Sequence, residues 1–277
     1  MPPHFSECRQ IMFPPVSVTS AMKPEGPMEN FVLQTLPPAA AASGLSPSAT
    51  AAIMSAPPMH IPPPVFESQI LPHVAPEQMD ALWAQGWRHF GADFFRYSLS
   101  LGEDGALQFI QPLRMELAAF EMSKSQRRVL RRNADADVRI VPAVVDDERA
   151  AMFLRHRARF THNVPDSLRT FMPSAQPDKE PCACVSVEVR IARRLIAVSY
   201  LDVGAEAVSS VYAMFEPDEA RRSLGTFTML HEIQWAAAQG KRWLYPGYAT
   251  AQPSHYDYKK SFRPLSCYDW SGNWQPL

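Results

Sequence analysis

The chain has 277 residues, with 27 Lys and Arg against 28 Asp and Glu and a formal net charge of −1, so no overall basicity advertises nucleic acid. No stretch approaches the ~20 apolar residues of a membrane span, and MPPHFSECRQ has no basic-then-apolar leader pattern. Cys8, Cys182, Cys184 and Cys267 form neither a CxxC pair nor a disulfide framework, which suits free thiols in a reducing cytoplasm.

Up to about Ala75 the chain is rich in proline, carries an alanine run from Ala39 to Ala42, and has few charges. Such a stretch cannot bury enough apolar surface to offset its ordering entropy, so residues 1–75 are expected to be a disordered or extended arm. A role as a docking arm, or a later start at Met54 or Met59, stays open. PEQMDALWAQGWRHFG reads as a short helix with Pro76 in its first turn and Gly86 at its end. FFRYSLSL and ALQFIQPLRMELAAF read as strands around a turn at 102–105. A helix from Ser123 to Ala134 follows, capped by Ser123, and closes a region expected to span 76–135.

The second region, 136–277, opens with the strand VRIVPAVV. Asp146 to Arg159 is amphipathic, with Ala150, Phe153 and Leu154 on one side. Residues 163–181 read as a proline-rich loop. CVSVEVRIA and RLIAVSYLDV are strands joined by a tight turn near Ala192-Arg193, and the alternation of Val185, Val187 and Val189 fits a half-buried antiparallel strand. A strand reading LDVGAEAVSSVYAMFEPD then runs into a helix with Leu224, Phe227, Leu230, Ile233 and Ala237 in one stripe. Gly240 ends that helix and a strand begins at Arg242, giving a β–α–β unit.

Several segments carry chemistry. In SKSQRRVLRRNAD, Lys124, Arg127, Arg128, Arg131 and Arg132 fall within nine residues, and i,i+3 and i,i+4 spacing gathers the arginines on one broad face. Arginine forks suit an RNA backbone, although a solvated helix face has the same composition. Arg222-x-x-Gly225 opens a helix whose amides point at an anion, as in the Q/R-x-x-G-x-G/A loop that binds pyrophosphate in GNAT-class, acetyl-CoA-dependent transferases. Phe227 stands where the last small residue of that loop belongs, which argues against CoA. VSSVY places Ser209 with Val211 on one face and Ser210 with Tyr212 on the other. YPGY, residues 245–248, ends a strand where open α/β sheets collect ligands; Gly247 permits close approach and Tyr248 offers a hydroxyl. The histidines show no paired spacing, so no metal is expected.

From Gln85 onward the residues resemble one family. Gly86-Trp87-Arg88-x-x-Gly91, Gln111-Pro112-Leu113-Arg114, Ser123-x-Ser125-Gln126-Arg127-Arg128, Ser209-Ser210-Val211-Tyr212, Ser223-Leu224-Gly225-Thr226, Tyr245-x-Gly247-Tyr248, Tyr258-Lys259 and Phe262 succeed one another as in arginyl-tRNA–protein transferases and the bacterial aspartate/glutamate leucyltransferases. The resemblance implies an α+β chain with a GNAT-like, mixed but mostly antiparallel sheet and flanking helices behind the proline-rich arm. It implies transfer of Arg or Leu from aminoacyl-tRNA to the N-terminal amine of proteins beginning with Asp or Glu. No cofactor is implied, and the oligomeric state is not legible. A GNAT-type acetyl-CoA-dependent N-acetyltransferase and an inactive tRNA- or degron-binding relative are the alternatives. The family's closely spaced cysteines before QP-[IL]-R are replaced here by YSLSLGEDGALQFI.

Under that resemblance, Asp202 is expected to orient the amine, Ser209 and Ser210 to hold the carbonyl, and Tyr248 to supply a proton. Tyr212, Arg222, Gly225, Gly247, Tyr258 and Lys259 are the expected substrate-binding set. Lys124, Arg127, Arg128, Arg131 and Arg132 are the expected tRNA-binding set.

Overall fold

Strand order in the main sheet follows from which segments can be buried on two faces. In the computed structural model, which describes residues 64–277 except 103, 104, 161–163, 253 and 254, the strands run β12-β11-β5-β10-β9-β8-β7-β6. These are β5 Leu107–Glu116, β6 Asp137–Pro142, β7 Cys184–Ile191, β8 Arg194–Val203, β9 Ala207–Phe215, β10 Trp243–Thr250, β11 Ser266–Tyr268 and β12 Trp274–Pro276, with β4, Leu99–Leu101, paired to β5. A small second sheet joins β1 Phe66–Ile70, β3 Asp93–Tyr97 and β2 Arg88–Phe90 in the order β1-β3-β2. Every pairing in the main sheet is antiparallel except β9 with β10. This is the mixed, mostly antiparallel sheet with flanking helices expected from the sequence.

Among the described residues four α-helices flank it: α1 Pro76–Ala84, α2 Lys124–Arg132, α3 Asp147–Arg157 and α4 Leu224–Ala238. Ser123 caps α2 by a reciprocal pair, its Oγ accepting from the Gln126 amide at 3.2 Å while Gln126 Oε1 accepts from the Ser123 amide at 2.8 Å. Gln126, Val129 and Asn133 are buried, so Lys124, Arg127, Arg128, Arg131 and Arg132 all stand on the exposed side. Helix α4 buries Leu224, Phe227, Leu230, Ile233 and Ala236. Each large side chain among these is worth about 2 kcal/mol on removal from water. Val129 and Leu224 share a cluster with Val189 and Ile196, whereas Met152 and Phe153 of α3 pack with Cys184, Val198 and Tyr200 from the other side. The sheet is therefore covered on both faces.

Several expectations change. The stretch LDVGAEAVSSVYAMFEPD is two strands, because Gly204 to Glu206 turn between β8 and β9. Val187 and Val189 are buried, but so are Ser186 and Glu188 between them, because α3 covers the second face. Leu154 is 53% exposed, and Ala236 takes the core place expected for Ala237. The arm also ends earlier than residue 75, since β1 pairs with β3 along Phe66–Ile70 and Val74 is buried. No border falls at 135 either: β5 pairs with both β10 and β11, so the earlier region supplies a central strand of the same sheet. The expectation for residues 1–63 lies outside the described residues.

Beside a register shift between Val189 and Arg190 in the β7–β8 ladder, two irregularities of the main sheet bear on the site. The β8–β9 register skips Val211, passing from Tyr200↔Tyr212 to Leu201↔Ser210. Such a bulge reverses the alternation beyond it: Ser210 points at α4 while Tyr212 stacks on Phe171 at 4.1 Å on the other face. The sequence expectation that Ser210 and Tyr212 share a face fails for this reason. The β9–β10 ladder holds only from Trp243↔Ala207 to Tyr245↔Ser209, while β10 shifts register against β5 between Leu244 and Gly247. Pro246 sits inside that shift, where a missing N–H costs no ladder bond.

Candidate active site

Where β9 and β10 part, the carbonyl of Ser210 loses its strand partner. Arg88, delivered by β2, fills the gap: its guanidinium donates to Ser209 Oγ and to the Ser210 carbonyl oxygen. On the helix side, Ser210 Oγ donates to Glu232 Oε2 at 2.6 Å. Glu232 lies on α4 and is 1% exposed. Gly247, with φ +100°, leaves the remaining wall open: a Cβ there would stand 3.1 Å from Lys259 Nζ and 3.5 Å from an Arg88 nitrogen. Lys259 comes from the 3-10 segment His255–Ser261 and donates to the Tyr248 carbonyl at 3.3 Å. Thus Arg88, Ser209, Ser210, Glu232, Gly247 and Lys259 converge from β2, β9, α4, β10 and the 3-10 segment.

The electrostatics of this group are unusual. Burial pushes the Glu232 carboxyl up to about 7, against the hydrogen bond from Ser210 and the positive charges of Lys259 and Arg88. Burial, with help from Arg88, draws the Lys259 ammonium down to about 7, against Glu232. An acid and a base brought near neutrality in one cleft are suited to proton transfer. Arg88 bonds neutral oxygens of β9, and a guanidinium has five donors, so N–H groups remain for an anion or an oxyanion. Among the described residues no carboxylate pairs with it directly, in contrast to Arg222.

The other expected residues lie around this group or away from it. Arg222 pairs with Asp135 at 2.9 Å and with Glu219 at 2.7 Å, so both its charge and its fork are engaged. It ends the 3-10 segment Pro217–Arg222 just before α4, whose first residue, Leu224, is about 12 Å along the helix from Glu232. Gly225 lies in the first turn of α4 with open space around it, so no close backbone approach requires glycine there. Tyr248 donates its hydroxyl to the Gly86 carbonyl at 2.6 Å, and burial raises its pKa well above the ordinary range, which removes it as a ready proton donor. Tyr258 is exposed beside Lys259. Asp202 is buried and turned to His89, with Oδ2 2.8 Å from Nε2. Arg88 and Glu232 escaped the sequence-based assignment. The GWR motif signals the first; a lone carboxylate in an otherwise apolar helical stripe signals the second.

The basic helix α2 lies beside this group. Gln126 Nε2 reaches the Ser261 carbonyl at 3.4 Å, in the segment that carries Lys259. At the other end of α2, Arg132 donates to the Arg221 carbonyl at 2.7 Å and to Ser223 Oγ at 3.1 Å. The exposed arginine face thus runs from the Lys259 segment to the start of α4. Among the described residues, no helix is long and apolar enough to cross a membrane.

The chain is similar to several known proteins. The family model described as "Arginine-tRNA-protein transferase, C terminus" matches residues 147–269. An aspartate/glutamate leucyltransferase of Xanthomonas euvesicatoria pv. vesicatoria (strain 85-10) is 36% identical over 174 residues, covering 58% of this chain and 68% of that protein. Among solved structures, the C-terminal domain of a putative lysylphosphatidylglycerol synthetase from Agrobacterium fabrum aligns with TM-score 0.43 and 19% identity, covering 61% of this chain and 59% of that one. A putative GNAT-family acetyltransferase from Novosphingobium aromaticivorans DSM 12444 aligns with TM-score 0.37 and 12% identity, over 74% and 70%.

Proposed function

Because the chain belongs to the family of arginine-tRNA–protein transferases and aspartate/glutamate leucyltransferases, we propose that it moves leucine from charged tRNA to the N-terminal amine of proteins beginning with Asp or Glu. The family membership supports the donor class, and the names of the relatives support leucine and the acidic acceptor. The observation that carries the chemistry is the convergence of half-buried Arg88, Ser210 and Lys259 on the buried Glu232 beside an exposed arginine helix.

The reaction is aminolysis of an ester. An α-amine with a pKa near 7.7–8.0 attacks the carbonyl that joins the amino acid to the ribose of the tRNA 3′ end. As the C–N bond forms, Glu232 accepts the proton that the amine loses, relayed by the Ser210 hydroxyl. The free N–H groups of Arg88 stabilise the oxyanion. The ester C–O bond then breaks, and the Lys259 ammonium gives its proton to the departing ribose oxygen. Glu232 returns the first proton to Lys259, so both groups end as they began. Asp202 acts at one remove, by holding His89 next to Arg88 on β2. The arginines of α2 hold the acceptor stem of the tRNA.

Acetyl-CoA is disfavoured by the same side chains. The opening of α4, where pyrophosphate would sit, is occupied by the Arg222–Asp135 and Arg222–Glu219 pairs, and Phe227 is in the core. The test is transfer of radiolabelled leucine or arginine from charged tRNA to peptides starting with Asp, Glu or Ala. Labelling of the Asp and Glu peptides from leucyl-tRNA, with the Ala peptide unlabelled, is expected. No labelling of any peptide from either donor overturns the reading.

A further inference from the structure

Behind the cleft, four potential metal ligands from three strands and a loop meet in the interior. Cys184 on β7 stands directly opposite Asp202 on β8 in the register, so both side chains project from the same face of the sheet. Cys182 lies two residues earlier, and His89 arrives from β2 in the small sheet. All four are buried, with exposures of 3% to 6%. The donor atoms of His89, Cys182 and Asp202 lie within 4.8 Å of one another, and Cys184 is the cross-strand neighbour of Asp202.

We propose that His89, Cys182, Cys184 and Asp202 form a tetrahedral site for a zinc-class divalent ion. Two thiolates, one imidazole and one carboxylate match zinc in ligand type and number, and bond lengths of about 2.0–2.3 Å set neighbouring donors about 3.3–3.8 Å apart. His89, Cys182 and Asp202 need close by at most about 1–1.5 Å from their 4.8 Å limit to reach that spacing, and Cys184 joins them from the facing position on β7. The His89 ring is oriented as a ligand needs: Nδ1 donates to the Gly91 carbonyl at 2.9 Å, which leaves Nε2 aimed at the cluster. A backbone carbonyl on the second ring nitrogen is the usual support of a metal-bound histidine. On binding, the two thiols release their protons to solvent and the ion takes up the negative charge left in the core. The ion would tie β2 to β7 and β8, and so fix Arg88, the neighbour of His89, against Ser209 and Ser210.

Metal content is measured without turnover, so the site is tested independently of the transferase reading. Full-length protein is purified under reducing conditions, stripped with a chelator and titrated with Co(II). We expect one ion per chain, a thiolate-to-cobalt charge-transfer band and the strong visible bands of tetrahedral cobalt. Zinc should displace the cobalt and raise the melting temperature. Cys182→Ser should lose the charge-transfer band, and Cys267→Ser, altered outside the cluster, should keep it. If Cys182→Ser does not fold, the wild-type spectrum decides alone. Folded wild-type protein that binds no cobalt, or shows only weak octahedral bands, overturns the site.

Discussion

Glu232 is the residue on which the proposed chemistry turns, and its position is costly to stability. Its pKa is raised from 4.5 to about 7, so its protonated form favours the folded state fully at low pH, and that contribution is lost as pH rises between those values. Ionised above pH 7, the buried carboxylate costs on the order of 3 kcal/mol. Glu232→Gln keeps the shape and the Ser210 contact without the charge. It should therefore melt higher than wild type at pH 8, with the gap closing at pH 4, while the single-turnover transfer rate falls roughly a hundredfold or more. A variant that melts lower at pH 8, or retains full rate, contradicts the assignment. The pH profile of wild-type transfer should be a bell centred near 7, its acidic limb set by Glu232 ionising and its alkaline limb by Lys259 losing its proton. Glu232→Gln should remove the Glu232 contribution to the acidic limb and leave only the titration of the peptide amine. Gly247→Ala tests the wall of the cleft: with φ +100° and Lys259 Nζ 3.1 Å from a new Cβ, it should lower stability by about 1–2 kcal/mol in chemical denaturation.

Helix α2 and the parting of β9 from β10 are the two elements on which the proposed handling of charged tRNA rests. The exposed side of α2 carries Arg128 and Arg131, so charge reversal there should leave folding intact. Arg128→Glu with Arg131→Glu should raise the KM for charged tRNA at least tenfold with kcat little changed, and should flatten the dependence of log KM on log salt by about one unit per lost phosphate contact. Unchanged KM and salt dependence would assign α2 to a solvated face only. The helix itself was legible in the sequence, because Ser123 and Gln126 form a capping box and Val129 supplies the buried stripe. The β–α–β unit was legible too, from Leu224, Phe227, Leu230 and Ile233. The bulge at Val211 was not, since nothing in VSSVY announces an unpaired residue and it reverses the side of Tyr212. Arg88 and Lys259 meet across 171 positions of sequence, and such long-range closure leaves no local periodicity to read. For the same reason Arg222, in a motif that fitted an anion site, proved to be held by Asp135, 87 positions away.

At the scale of the whole molecule, the cleft of Arg88, Glu232 and Lys259, a basic helix and a buried His–Cys–Cys–Asp cluster share one sheet-centred unit. The net charge of −1 hides this arrangement, because the arginines of α2 are offset elsewhere in the chain. The measurement that bears most directly on the account is a pair of parallel single-turnover reactions, one with leucyl-tRNA and one with acetyl-CoA, each offered the same Asp-initiated peptide. Wild-type protein should discharge leucyl-tRNA onto the peptide amine, with Arg88→Ala at least a hundredfold slower, and should leave acetyl-CoA intact. Acetylation of the peptide, or discharge that is indifferent to Arg88→Ala, would contradict it.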